Sequence, residues 1–238
     1  MTVEFGLAEE RIIKKLERLN EKLRGINVAT DIDNTEVATS AGGILLVNRR
    51  FGTNFTLDDL TYDFAIVDLI RRYLSEVKDP RRLATDIWNS GENLRNASPT
   101  PGALIISKFL SENGVDHIHR ITSRPGNKRK ETISWYKAKM PWVDKSLIHI
   151  QPDGDEVNTR FKVDQIGELG IDLFFEDAVE HAEKIAAETK ATTVLVPQRW
   201  NENCKSRVGD RIVVVPDQFC KTQPAFVRAY LYMAEVFI

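Results

Sequence analysis

Three short apolar or β-branched runs in this chain each end in side chains that can do chemistry. Val28-Ala-Thr30 runs into Asp31-Ile-Asp33-Asn-Thr35, the run over 116–122 ends at Thr122-Ser123-Arg124-Pro125, and Asp172-Leu-Phe-Phe175 ends at Glu176-Asp177. Shorter runs of the same kind lie at 147–150, 192–196 and 211–215, and helical periodicity fills 103–113, 130–139, 162–169 and 178–190. Strands apolar on both faces, alternating with helices, predict an α/β fold whose parallel sheet is covered on two sides. In such a sheet the ligand site lies beyond the carboxyl ends of the strands, so the three polar ends compete for one place.

Residues 36–98 separate the first two of these strands and show helical stretches with little period-two alternation. So much chain is improbable as a loop, and the segment reads as a small helical insertion that leaves 1–35 and 99–238 as the core. Ser98-Pro-Thr-Pro101-Gly102 punctuates the return to that core. Ile12, Leu16, Leu19 and Leu23 recur at helical spacing before Gly25, and Phe226, Tyr230, Met233 and Phe237 do so at the other end.

Composition narrows the partners. The 33 basic and 35 acidic residues leave a formal charge of -2, which gives no general reason to bind nucleic acid or an anionic membrane. No apolar run is long enough to span a bilayer, and the charged first 25 residues lack the apolar region of a signal peptide. Cys204 and Cys220 have no His or second Cys at metal-ligand spacing, so reduced thiols in a cytoplasmic protein are the expectation.

Asp31 and Asp33 are two residues apart in an extended segment, so their carboxylates lean into one small volume. Paired acids need a shared proton or a divalent cation. With Mg²⁺ holding one of them, the layout suits phosphoryl transfer, with Asp31 as nucleophile and Asp33 as general acid and then base. Thr122 and the Ser123 turn can face an anion, and Asp177 adds a third carboxylate, although an Asp there also suits a helix N-cap. A lysine must balance these charges: Lys162 is the first choice, with Lys128 and Lys130 as rivals. His117-Ile-His119 reads as one polar face of a strand rather than a metal pair, since an oxygen-rich site favours Mg²⁺. Lys128-Arg129-Lys130 reads as a solvated face.

The set Asp31-Ile-Asp33-Asn-Thr35, Ile121-Thr122-Ser123, Lys162 and Phe175-Glu176-Asp177 resembles the four motifs of the haloacid dehalogenase-like (HAD) phosphatase superfamily. Within it, Pro99-Thr-Pro101-Gly102-Ala103, Thr122-Ser-Arg-Pro125, Asp172-Leu-Phe-Phe-Glu-Asp177 and Arg199-Trp200-Asn201 resemble the 5′-nucleotidase group that includes the 5′(3′)-deoxyribonucleotidases. The resemblance spans roughly residues 26–202 and implies a Rossmann-like three-layer core, a helical cap after the first strand, and Mg²⁺ as cofactor. It also implies Asp31 and Asp177 as side-chain metal ligands and Asp33 as a ligand through its backbone carbonyl. A nucleoside 5′-monophosphate is the implied substrate, with Tyr62, Phe64, Trp88 and Arg124 as its contacts and Thr122, Ser123 and Lys162 on the phosphate. Two departures stand out. The position eight after Asp31, an aromatic that stacks on the base in mammalian deoxyribonucleotidases, is Thr39 here. Those enzymes also carry the third-motif lysine soon after the Thr-Ser strand end, which keeps Lys128 and Lys130 in play. A sugar-phosphate phosphatase and a non-catalytic phosphate-ligand binding protein remain alternatives, and a homodimer is left open.

Overall fold

The computed structural model describes residues 7–62, 64–152, 159–201 and 211–236. Its strands are β1 (Val28–Thr30), β2 (His119–Thr122), β3 (Ile148–Ile150), β4 (Leu173–Glu176), β5 (Thr192–Leu195) and β6 (Ile212–Val214). Its helices are α1 (Leu7–Leu23), α2 (Thr39–Phe51), α3 (Ile66–Tyr73), α4 (Pro80–Trp88), α5 (Gly91–Asn96), α6 (Ala103–Glu112), α7 (Arg129–Lys139), α8 (Thr159–Glu168), α9 (Val179–Glu188) and α10 (Ala225–Val236).

β1 is buried at all of its residues because it lies inside the sheet, with Ala29 opposite His119 of β2 and Phe174 of β4. All pairings are parallel, in the order β3-β2-β1-β4-β5-β6. This is a Rossmann-like α/β sheet. Its strand order reverses between β1 and β4, and a crevice opens beyond the carboxyl ends of strands at such a point. One face carries Val28 and Phe175 against Leu19 and Leu23 of α1, Ile106 of α6, Trp135 of α7 and Tyr230 of α10. Phe175 and Tyr230 stack with centroids 4.3 Å apart, which fixes α10 under β4. The other face carries Ala29, Ile121 and Phe174 against Val163 and Ile166 of α8 and Ile185 of α9. The second strand starts at His119 rather than 116, because its ladder to β1 begins only where Ala29 faces His119.

Between β1 and α6 the described residues form helices α2 to α5 and a 3-10 turn at Leu57–Asp59. They share an apolar cluster of their own, including Ile44, Val47, Leu60, Ile66, Ile70 and Ile87. The two chain passages into this segment are stitched together: Ala38 N–H donates to Ser98 O and Thr100 N–H to Glu36 O, each at 2.9 Å. Gly102 starts α6 with φ +88°, and a Cβ there would come within 2.7 Å of Val227 on α10. Below β1, Glu36 is buried against Arg120 at 3.3 Å and accepts from the Tyr136 hydroxyl at 2.6 Å, which pins the segment following Asp31 to the sheet.

No helix of the described residues is long and apolar enough to cross a membrane. Cys220 is a free thiol, while Cys204, Phe237 and the side chains of Ile12 and Leu16 lie outside the described residues.

Candidate active site

Asp31 continues the β1 ladder, its N–H donating to Phe175 O at 2.8 Å, so its carboxylate stands directly at the strand's end. Lys162, from α8, reaches it: Nζ lies 2.7 Å from Asp31 Oδ1 and 2.8 Å from Glu176 Oε2, all three side chains being buried. The His181 ring contributes Nδ1 at 3.1 Å from the same ammonium. Of the three candidate lysines, Lys162 is the one whose ammonium meets Asp31. Lys128 and Lys130 do not line the cavity at the strand ends. Burial pulls the Lys162 ammonium toward neutrality, but the two carboxylates outweigh it and hold its pKa above the ordinary range. Burial pushes the Asp31 carboxyl well up, against the pull of Lys162 and with help from Glu176 and Asp33. Glu176 moves the other way: burial raises it, yet the Lys162 ammonium outweighs that and brings its pKa down.

Asp33 is held by different groups. Arg124 grips it bidentately, Nε at 2.9 Å from Oδ2 and Nη2 at 2.7 Å from Oδ1. The Thr39 hydroxyl donates to Oδ1, and the Thr122 hydroxyl donates to Oδ2 at 3.2 Å. Burial raises the Asp33 carboxyl, and the Arg124 guanidinium overcomes it, leaving the pKa lowered. The Arg124 side chain is only 1% exposed and its remaining Nη1 donates to Thr132 Oγ1, so its donors are held by the protein while it lines the same cavity as Asp33. Thr39, which departs from the stacking aromatic of the resembled enzymes, has a polar task on Asp33. Thr122 likewise serves Asp33, and its Oγ1 accepts the Arg124 N–H at 3.2 Å. The turn that presents these groups closes at Asn34, in the left-handed region at φ 56°, where Asn is tolerated. Its Oδ1 accepts from the Ser40 N–H at 2.9 Å.

Asp177 follows β4 and does not cap α9, whose N-cap is Ala178 with no side-chain cap bond. Instead its Oδ2 accepts from Trp200 Nε1 at 3.2 Å and its backbone oxygen from Asn201 Nδ2 at 2.8 Å. Arg199 of the same turn pairs with Asp58 in the helical segment at 2.7 Å. Asp31, Glu176 and Asp177 place carboxylate oxygens within 4.8 Å of one another, all buried. Buried hard oxygens gathered this closely fit a divalent cation such as Mg²⁺. Both oxygens of Glu176 are engaged: Oε2 faces Lys162, and Oε1 accepts the N–H groups of Asp177 and Ala178, each at 3.1 Å. Asp31 and Asp177 are the other two carboxylates that could hold the ion.

These groups open into a cavity of about 590 Å³ between the strand ends and the helical segment. Asp31, Asp33, Thr122, Ser123, Lys162 and Asp177 all line it, so the sequence-predicted catalytic and phosphate groups come together. The opposite wall is Phe64, with Arg81, Thr85, Trp88 and Asn89 from α4. Phe64 and Trp88 meet edge to face, centroids 5.5 Å apart. Phe64 sits at φ 61°, an unfavourable conformation for a bulky residue, and one often found at ligand-facing positions. Tyr62 does not join them: it is 46% exposed, bonds Asp68, and lies off the cavity wall. Sequence reading missed Arg81, Thr85, Asn89, Glu180 and His181. Arg81 and Thr85 share one helical face with Trp88, bordered by the buried Ala84, so the spacing in α4 could have shown them together.

The fold and site define an α/β protein with a Rossmann-like parallel sheet and a carboxylate-rich cavity at its switch point. No family model and no curated protein matches the chain. Among solved structures it is similar to a Bacteroides vulgatus protein, provisionally described as a beta-phosphoglucomutase, at 14% identity and a TM-score of 0.46. That likeness covers 93% of this chain and 98% of the other, and at this level it carries no argument about function.

Proposed function

We propose that the chain is a HAD-like phosphomonoesterase that depends on Mg²⁺ and works through an aspartyl-phosphate. The observation that carries this reading is Asp31. It is a buried carboxylate at the carboxyl end of an interior strand, held by Lys162, with a second carboxylate two residues on in the same cavity and Asp177 beside it. Asp31, Asp177 and the Asp33 backbone carbonyl would hold the ion, which supplies charge neutralisation for a bound phosphate. Asp31 attacks phosphorus and the P–O bond to the leaving group breaks. Asp33, once protonated, gives its proton to the departing oxygen. Asp33 then takes a proton from water as that water attacks phosphorus, freeing phosphate and restoring Asp31. Residues 36–98 form the cap in this reading and 1–35 with 99–238 the core, so the cap excludes water while its residues select the leaving group.

The substrate class we favour is a nucleoside 5′-monophosphate. Phe64 and Trp88 offer rings to a base, while Thr85 and Asn89 suit ribose hydroxyls. A sugar phosphate is the second reading, supported by the polar part of that wall and by Tyr62 standing away from it. A panel of nucleotides, sugar phosphates and a generic aryl phosphate, with Mg²⁺ and with EDTA, separates the readings. Metal-dependent release from nucleotides supports the first. Release from sugar phosphates alone moves the assignment to the second, and release from no ester leaves only a binding protein.

A further inference from the structure

An ammonium has three N–H donors and can accept nothing. Around Lys162 stand three acceptors: Asp31 Oδ1 at 2.7 Å, Glu176 Oε2 at 2.8 Å and His181 Nδ1 at 3.1 Å. Because Lys162 can only donate, His181 Nδ1 must accept. The same nitrogen lies 3.6 Å from Glu176 Oε2, too far for it to donate there. A neutral imidazole that accepts at Nδ1 carries its proton on Nε2. That tautomer leaves an N–H on the far edge of the ring. The side chain is 22% exposed and lines the cavity, and Nε2 has no hydrogen-bond partner among the described residues. Of the cations that line the cavity, Arg124 is spent on Asp33 and all three donors of Lys162 on protein acceptors, while Arg81 stands on the opposite wall.

We propose that His181 is a phosphate-contacting residue, its Nδ1 orienting Lys162 and its Nε2–H donating to a phosphate oxygen of the ester bound at Asp31. This rests on the phosphatase reading above for the identity of the ligand. Each half of the role has a mimic. His181→Asn puts an amide oxygen near the Nδ1 position and keeps an acceptor for Lys162, but it has no donor at Nε2. His181→Gln can place an amide N–H near Nε2 and loses the acceptor.

The test pairs ¹⁵N-histidine NMR with binding of inorganic phosphate in the presence of Mg²⁺, and with steady-state kinetics on a generic aryl phosphate. His181 is expected as the Nε2–H tautomer in the free protein, with that N–H shifting as inorganic phosphate is added. His181→Asn should bind inorganic phosphate about tenfold more weakly, the worth of one hydrogen bond to a charged group, whereas His181→Gln keeps most of the affinity. An Nδ1–H tautomer, or wild-type phosphate affinity in His181→Asn, overturns the proposal. So does equal loss in both variants. The phosphatase reading fails separately. If wild type hydrolyses no ester while the tautomer and phosphate-binding pattern hold, His181 stands as a phosphate contact without turnover. If wild type turns over and His181→Asn matches it in kcat/KM and phosphate affinity, the His181 proposal alone falls.

Discussion

Arg124 shows how one buried side chain can hold a second one in place on the wall of the cavity. Its fork is matched to the Asp33 carboxylate, and the two are buried together. Removing one partner of such a pair leaves an uncompensated charge, so Arg124→Met should destabilise the protein by about 3 kcal/mol in urea unfolding and lower kcat sharply. Arg124→Lys restores the charge but not the bidentate geometry, and should recover part of each loss. An Arg124→Met variant with unchanged stability would remove Arg124 from this role. Trp200 is a second case. Its indole N–H reaches Asp177 Oδ2 at 3.2 Å while its ring packs on the cluster of the helical segment. Trp200→Phe keeps the ring and loses the donor, so the Mg²⁺ concentration for half-maximal activity should rise by about tenfold, as for other groups that orient metal ligands. No change in that concentration would mean the bond does not orient Asp177.

At the scale of elements, β2 and β3 bring together a pair that lies apart in sequence. His119 Nδ1 is 2.9 Å from His149 Nε2, across the strand pairing rather than next to His117. Burial depresses both pKa values. Repulsion from His149, His117 and Arg120 adds to it at His119, and from Arg129 at His149. A depressed histidine contributes stability that is present above the unfolded value near 6.5 and is lost as pH falls through the folded value. Wild type should therefore lose more of its urea midpoint between about pH 7.5 and 5.5 than His149→Phe does. Equal losses would show that the pair is not the acid-sensitive element. On the cavity wall, Trp88→Ala should cut kcat/KM for a nucleotide far more than for a small aryl phosphate, while Tyr62→Ala should change neither selectively. Equal loss for both esters in Trp88→Ala would mean the ring only holds the helices together. Periodicity made the helices readable, and continuous apolar runs marked the strands, which the sheet buries on both faces. Neither could give the partners of His119, Arg124 or Trp200. Those depend on which strands become neighbours and on where their registers align.

For the molecule as a whole, the place of the candidate site was readable because a parallel sheet gathers its strand ends at one edge. Val28-Ala-Thr30, the run ending at Thr122 and the run ending at Glu176 are β1, β2 and β4, adjacent in the sheet, so their carboxyl-terminal residues meet without further design. What stayed hidden came from outside those ends. The wall from α4 and the Glu180-His181 turn of α9 face the cavity only once the helices are packed. In the proposed mechanism Asp31 is the nucleophile. The direct measurement is release of phosphate from a generic aryl phosphate with Mg²⁺ present, for wild type and for Asp31→Asn. An amide neither attacks phosphorus nor holds the ion well, so the variant should fall by about a thousandfold or more while keeping its fold by circular dichroism. An Asp31→Asn protein that hydrolyses the ester at close to the wild-type rate would contradict it.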